Sequence, residues 1–145
     1  MAHQNLLTSG LRASVKRTPN KLAIKSDSGT RTYSELADRI DAIKCMAQNR
    51  WKLSAGDVVA LISPNCIEYY EYISALAEVG VAVATVNYRL SAPEAQGIIL
   101  DAGAKLIVYH QSCEALVPDE LECQLIDSPV PTAEACIDAE ISEEA

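Results

Sequence analysis

Few residues in this 145-residue chain have the type and setting to do chemistry, and most of them follow short apolar runs. Arg89 is the only basic residue between Lys52 and Lys105, and with Asn87 and Tyr88 it ends the run Val81 to Val86. An arginine there suits a phosphate, because its planar guanidinium presents two parallel N–H donors. An exposed turn with an Arg–carboxylate pair is the structural alternative. Asn65 closes Ser63-Pro64-Asn65 after the run Val58 to Ile62. A catalytic amide needs a base or an oxyanion beside it, and no sequence neighbour suggests either. As a helix cap Asn65 explains itself, at about 1 kcal/mol. His110 follows Leu106 to Tyr109, with Cys113 three residues on. Zinc takes about four N or S donors, and no second pair is spaced to complete the set. GxGxxG, Walker A, GxSxG and HExxH patterns are absent. No metal site and no catalytic residue is expected.

The elements that hold these residues centre on Gly56 to Glu94. Val58 to Ile62 is short, apolar and rich in β-branched residues, which suits a strand buried on both faces. Asn65 is placed to cap the next helix, with Glu68 at its third position. That helix should run to about Val79, where Gly80 takes the left-handed closing position. Val81 to Val86 is then a second buried strand, and the unit is a βαβ with a right-handed crossover. Ligands of open parallel sheets gather beyond the carboxyl ends of strands. Those ends are Ser63-Pro64-Asn65, Asn87-Tyr88-Arg89 and His110.

Upstream, Leu7, Leu11 and Val15 recur at intervals of four and predict a helix over Leu6 to Lys16. Arg12, Lys16 and Arg17 precede the first acid, Asp27, so a mitochondrial transit segment is the competing reading of the same residues. Leu22 to Lys25 and Arg31 to Tyr33 form a hairpin about Ser26-Asp27-Ser28-Gly29. Thr32 and Glu35 make a capping box for a helix whose apolar stripe is Leu36, Ile40, Ile43 and Ala47. Downstream, Ser91 and Glu94 make another, with Pro93 in the first turn. Ala95, Ile98, Ile99 and Ala102 give that helix its apolar face, and Gly103 closes it. Tyr69, Tyr70 and Tyr72 cannot share one side of a helix, so some cover the sheet while others look outward.

Composition sets the frame. With no Phe and seven aromatic residues in all, the core must be Val, Ile, Leu and Ala, which fits a parallel sheet covered by helices. The net charge of −8 hides a split. Residues 1–112 hold ten acids against twelve bases, whereas residues 113–145 hold ten acids and no base. An α/β unit over 1–112 followed by an acidic, weakly structured tail over 113–145 is the expected organisation. The tail is read as a solvated terminus, with a partner-binding segment as the alternative. Pro118, Pro129 and Pro131 divide it, and Leu125-Ile126 can extend a strand. No basic stripe interleaved with aromatics supports nucleic-acid binding, and no apolar run nears the ~20 residues of a membrane span. Five widely spaced cysteines, an odd count, and no signal peptide point to reduced thiols in the cytoplasm.

The stretch VVALISPNCIEYYEYISALAEVGVAVATVNYRLSAPE resembles the early N-terminal region of the adenylate-forming (AMP-binding) superfamily, most closely its acyl-CoA synthetases. That family follows a PN-x-x-E-Y/F helix with a glycine, an apolar strand and an N-x-R-L-s-x-x-E turn. TYSEL at Thr32 to Leu36 resembles the family's first motif, and KLIV at Lys105 to Val108 falls where it has its next strand. The resemblance spans Leu6 to Tyr109. It implies the N-terminal subdomain of a ligase of fatty acid metabolism that joins a carboxylic acid to AMP and passes the acyl group to CoA. Its cofactors would be ATP, Mg and CoA, and its partner the remainder of the ligase or a separate chain carrying it. Tyr88 and Arg89 would lie near the CoA entry path.

The family's Ser/Thr/Gly-rich phosphate loop with its lysine, its Tyr-Gly-x-Thr-Glu motif, its ribose-binding aspartate and its C-terminal-domain lysine have no counterpart here. Thr8-Ser9-Gly10 spells the start of the loop, but Leu11-Arg12 follows. The chain alone is therefore expected to be inactive and to need no cofactor. The alternative is a free-standing α/β binding or scaffolding module that kept the fold without the chemistry.

Overall fold

The computed structural model describes residues 6–136. Helix α1 (Leu6–Arg17) leads to a hairpin, β1 (Leu22–Ser26) and β2 (Gly29–Thr32), and then to α2 (Tyr33–Asn49). The alternating core follows as β3 (Val58–Ile62), α3 (Ile67–Glu78), β4 (Ala82–Thr85), α4 (Ala92–Asp101) and β5 (Leu106–Tyr109). A 3₁₀ turn over Gln111–Leu116 connects to β6 (Glu122–Leu125).

Strands β4, β3, β5 and β6 lie side by side in that order, all parallel, while β1 and β2 form a separate antiparallel pair. The two faces of β3 feed different cores. Val59 and Leu61 pack with Leu106, Val108, Tyr72 and Leu76, beneath α2 and α3. Ala60 and Ile62 pack with Ile107, Ala95, Ile99 and Cys113, beneath α4 and the 3₁₀ turn. The crossovers through α3 and α4 thus run in opposite directions along the sheet on opposite faces, as a single crossover hand requires.

Local chemistry sets most boundaries. The Thr32 capping box is complete: Glu35 N–H donates to Thr32 Oγ1 at 3.2 Å, and Thr32 N–H donates to Glu35 Oε1 at 3.0 Å. Gly80 closes α3 at φ +78°, and an added Cβ would meet that of Ala55 at 3.2 Å. At Ser91 the reciprocal half differs from expectation. Glu94 N–H donates to Ser91 Oγ, but the Glu94 carboxylate takes the Ser91 hydroxyl at 2.7 Å instead of the backbone N–H.

Three further expectations are corrected. Asn65 does not cap α3. The cap position is Cys66, which makes no side-chain capping bond, and Asn65 is exposed one residue earlier because Pro64 carries the chain farther before it turns. Ile98 does not join the buried face of α4. It is 45% exposed, since only Ala95 and Ile99, four apart, point at the sheet. Finally, part of the acidic segment is built into the sheet. Strand β6 pairs in register with β5 from Leu106↔Glu122 to Tyr109↔Leu125, and Ile126 is fully buried. Charge averaged over a segment cannot show this, because a few inward apolar residues suffice to dock it.

Ion pairs tie the helices together. Arg12 on α1 reaches Asp41 on α2 and Glu78 on α3, each at 2.7 Å, and Lys44 also reaches Glu78 at 3.0 Å. No helix among the described residues is long and apolar enough to cross a membrane.

Candidate functional site

A sheet ordered β4-β3-β5-β6 is doubly wound, and its topological switch point lies between β3 and β5. There the loops after the two strands turn to opposite faces and leave a crevice between them. Backbone bonds fix its floor: Val86 N–H donates to Leu61 O and His110 N–H to Ile62 O, both at 2.9 Å. Ser63-Pro64-Asn65, Asn87-Tyr88-Arg89 and His110 therefore leave the sheet side by side, as their place after apolar runs predicts.

Each group is held locally. Ser63 Oγ–H donates to Pro64 O at 2.7 Å and lies 3.7 Å from Cys66 Sγ. Burial pushes the Cys66 thiol up, so it stays protonated at neutral pH and is no ready nucleophile. His110 caps the 3₁₀ turn, its Nδ1 accepting from Ser112 N–H at 3.1 Å with Ser112 Oγ at 2.7 Å. In the neutral ring this leaves the proton on Nε2. Asn87 Oδ1 accepts Arg89 N–H at 2.9 Å, which shapes the turn, and the Arg89 guanidinium sits 5.6 Å from the centre of the Tyr88 ring. Both residues are exposed, and Arg89 forms no ion pair among the described residues.

The strand ends offer hydroxyls, one imidazole and, in the turn after β4, one cation. They suit hydrogen bonding to a ligand, and the one hydroxyl set beside a base there among the described residues is that of Ser112, 2.7 Å from His110 Nδ1. Among the described residues no three His, Cys, Asp or Glu side chains gather as ligands.

A second concavity of about 750 Å³ lies against α2, lined by Arg31, Glu35, Asp38 and Arg39 on one side and by Val130 and Thr132 to Glu134 on the other. Behind it is a group that sequence reading missed. Glu71 is fully buried, with Arg39 Nε at 3.4 Å and Arg31 Nε at 3.6 Å, and Arg31 also faces Glu68 at 3.9 Å. Burial raises the Glu71 carboxyl above its ordinary range, against the pull of both arginines. The signal was a carboxylate four residues after Ile67 and four before Ala75, on the buried face of α3. The tyrosines divide as their spacing requires: Tyr72 is fully buried, Tyr69 packs partly on the core and Tyr70 is exposed.

These features define an α/β domain of the adenylate-forming class, with the fold of its N-terminal subdomain. The N-terminal subdomain of Klebsiella oxytoca NpsA, solved with 3-hydroxybenzoyl-AMSN, superimposes at TM-score 0.70 and 24% identity, over 85% of this chain and 34% of that one. The chain belongs to the AMP-binding enzyme family, which matches residues 11–144. Among its relatives, a long-chain-fatty-acid–CoA ligase of Mycobacterium tuberculosis is 37% identical over 57 residues, 39% of this chain and 11% of that protein. A 2-succinylbenzoate–CoA ligase of Oceanobacillus iheyensis is 33% identical over 101 residues, 68% of this chain and 20% of that protein. The chain thus spans no more than a fifth of the curated relatives it matches here. The family match runs through β6, beyond the Tyr109 at which the motif resemblance stops.

Proposed function

We propose that this chain is the N-terminal portion of an ATP-dependent acyl-CoA synthetase of the cytoplasm, acting in fatty acid metabolism. The complete enzyme adenylates a carboxylic acid and passes the acyl group to CoA. The observation that carries this reading is the family match over residues 11–144, together with CoA ligases as relatives. The chain's own part is scaffold: it contributes parallel sheet and the rim at Tyr88 and Arg89. It does not form adenylate alone, because transfer to the α-phosphate needs positive charge around the phosphates. The turns after β3, β4 and β5 carry one arginine, Arg89, and the sequence has no phosphate loop.

Among the described residues Arg89 stands free of carboxylates and stacked on Tyr88, which suits a CoA phosphate approaching from solvent. Mixing this polypeptide with ATP, labelled pyrophosphate and a panel of acids should give no exchange. Exchange should appear once the remainder of the ligase is supplied. Exchange by the isolated chain would overturn the scaffold reading. In the complete enzyme, Arg89→Ala should raise the KM for CoA with adenylation unchanged, and an unaltered CoA dependence would remove Arg89 from the CoA path.

A further inference from the structure

Two cysteines far apart in sequence meet over one amide. Asn49 Nδ2 lies 3.1 Å from Cys45 Sγ and 3.8 Å from Cys136 Sγ, so the sulfurs are at most about 7 Å apart. Cys45 Sγ is also 3.8 Å from the carbonyl oxygen of Ala133, one helical turn before Cys136. The helical residues 133–136 thus lie along α2, with Ala133 opposite Cys45 and Cys136 opposite Asn49. No other two of the five cysteines share a bonding partner among the described residues.

We propose that Cys45 and Cys136 form a reversible intramolecular disulfide that clips the segment carrying Cys136 onto α2. Side-chain rotation closes the remaining gap once the turn shifts along the helix. The oxidant is a low-molecular-weight disulfide. One cysteine thiolate attacks it and releases one small thiol; the other then attacks the protein sulfur of the mixed disulfide and releases the second. Two protein S–H bonds are lost, one S–S bond is gained, and both protons leave with the small thiols. Each cysteine is 8% exposed, so the first attack proceeds from a locally opened state. Among the described residues, the bonds that hold this turn and release on opening include Cys136 N–H to Thr132 O at 2.9 Å and Ala135 N–H to Thr132 Oγ1 at 3.2 Å. Closing the bond fixes the wall formed by Val130 and Thr132 to Glu134 over the α2 concavity. In a reducing compartment such a bond is a redox-responsive clip rather than a permanent staple.

The test is to equilibrate the full chain with oxidised and reduced glutathione, alkylate the remaining thiols, and map the peptides. The expected result is a Cys45–Cys136 cross-linked peptide, loss of two of the five thiols, and full reversal by dithiothreitol. Cys45→Ala and Cys136→Ser should each abolish the cross-link, while Cys123→Ser should leave it intact. Proteolysis between residues 127 and 136 should slow by about tenfold in the oxidised form. Should Cys45→Ala fail to fold, Cys136→Ser carries the control alone. Five thiols that all alkylate, glutathione adducts only, or a cross-link between any other two cysteines would each overturn the proposal.

Discussion

Removing the hydroxyl of Tyr72 should stabilise this protein. The ring is fully buried and stacks on Trp51, with centroids 6.4 Å apart and planes at 29°. Its hydroxyl is buried too and has no hydrogen-bond partner among the described residues, and burial pushes its pKa up to about 12. A polar group taken from water without a partner costs about 1–3 kcal/mol. Tyr72→Phe keeps the ring and removes that cost, leaving a void of one oxygen that returns a few tenths of a kcal/mol at most. The expected net gain is about 1 kcal/mol, or roughly 2–4 °C in Tm for a chain of this size. Urea unfolding followed by fluorescence is the assay, because Trp51 is the sole tryptophan and rests on the altered ring. The midpoint should rise at an unchanged m-value. Tyr72→Ala, which deletes the ring as well, should cost about 3–5 kcal/mol and shows that the site is sensitive. A Tyr72→Phe protein weaker by about 1 kcal/mol would refute the reasoning, since only a hydroxyl satisfied by some partner loses stability on removal.

Two further outcomes are open to the same assay. Burial opposes the charge on Glu78, but hydrogen bonds from Arg12, Lys44 and Thr8 outweigh it and bring its pKa down to about 2 from 4.5. A folded pKa below the unfolded value means stabilisation that is present above about pH 4.5 and lost as pH falls toward 2. Glu78→Gln should therefore destabilise at neutral pH, by no more than about 2 kcal/mol after solvent screening, with the gap closing near pH 2; a gap independent of pH would contradict this. Thr32→Ala should cost about 1 kcal/mol by breaking the capping box, whereas Asn65→Ala should stay within about 0.5 kcal/mol, because Asn65 caps nothing. Equal losses in the two variants would restore Asn65 as the α3 cap.

Periodicity and punctuation made much of this molecule legible in the sequence. The all-apolar run Val58 to Ile62 suits the central strand β3. The similar run Val81 to Val86, also read as a buried strand, is the edge strand β4 with Ala82 and Thr85 exposed, so position in the sheet was not legible from residue types alone. Thr32 with Glu35, and Gly80 after Val79, mark helix ends through bonds and backbone angles that involve only neighbouring residues. The residues of the switch-point crevice were legible for the same reason: each follows a strand directly, and a strand's end is a local property. Family membership was legible too, in the turn Asn87-Tyr88-Arg89-Leu90 and in TYSEL.

Tertiary structure alone decided the rest, because those features depend on what a side chain meets far away in sequence. Glu71 has the spacing of the buried face of α3, but its partners appear only when α2 brings Arg39 to its carboxylate, with Arg31 arriving from β2. The acidic character of residues 113–145 hid most of β6, of which the sequence offered only Leu125-Ile126; its docking rests on backbone pairing with β5 and on the burial of Ile126. Cys45 and Cys136 had no visible relation until the chain laid its last described turn along α2. Local sequence sets where elements begin and end through short-range bonds. Which buried charges and thiols face one another is set by how the elements pack, and no spacing along the chain encodes it.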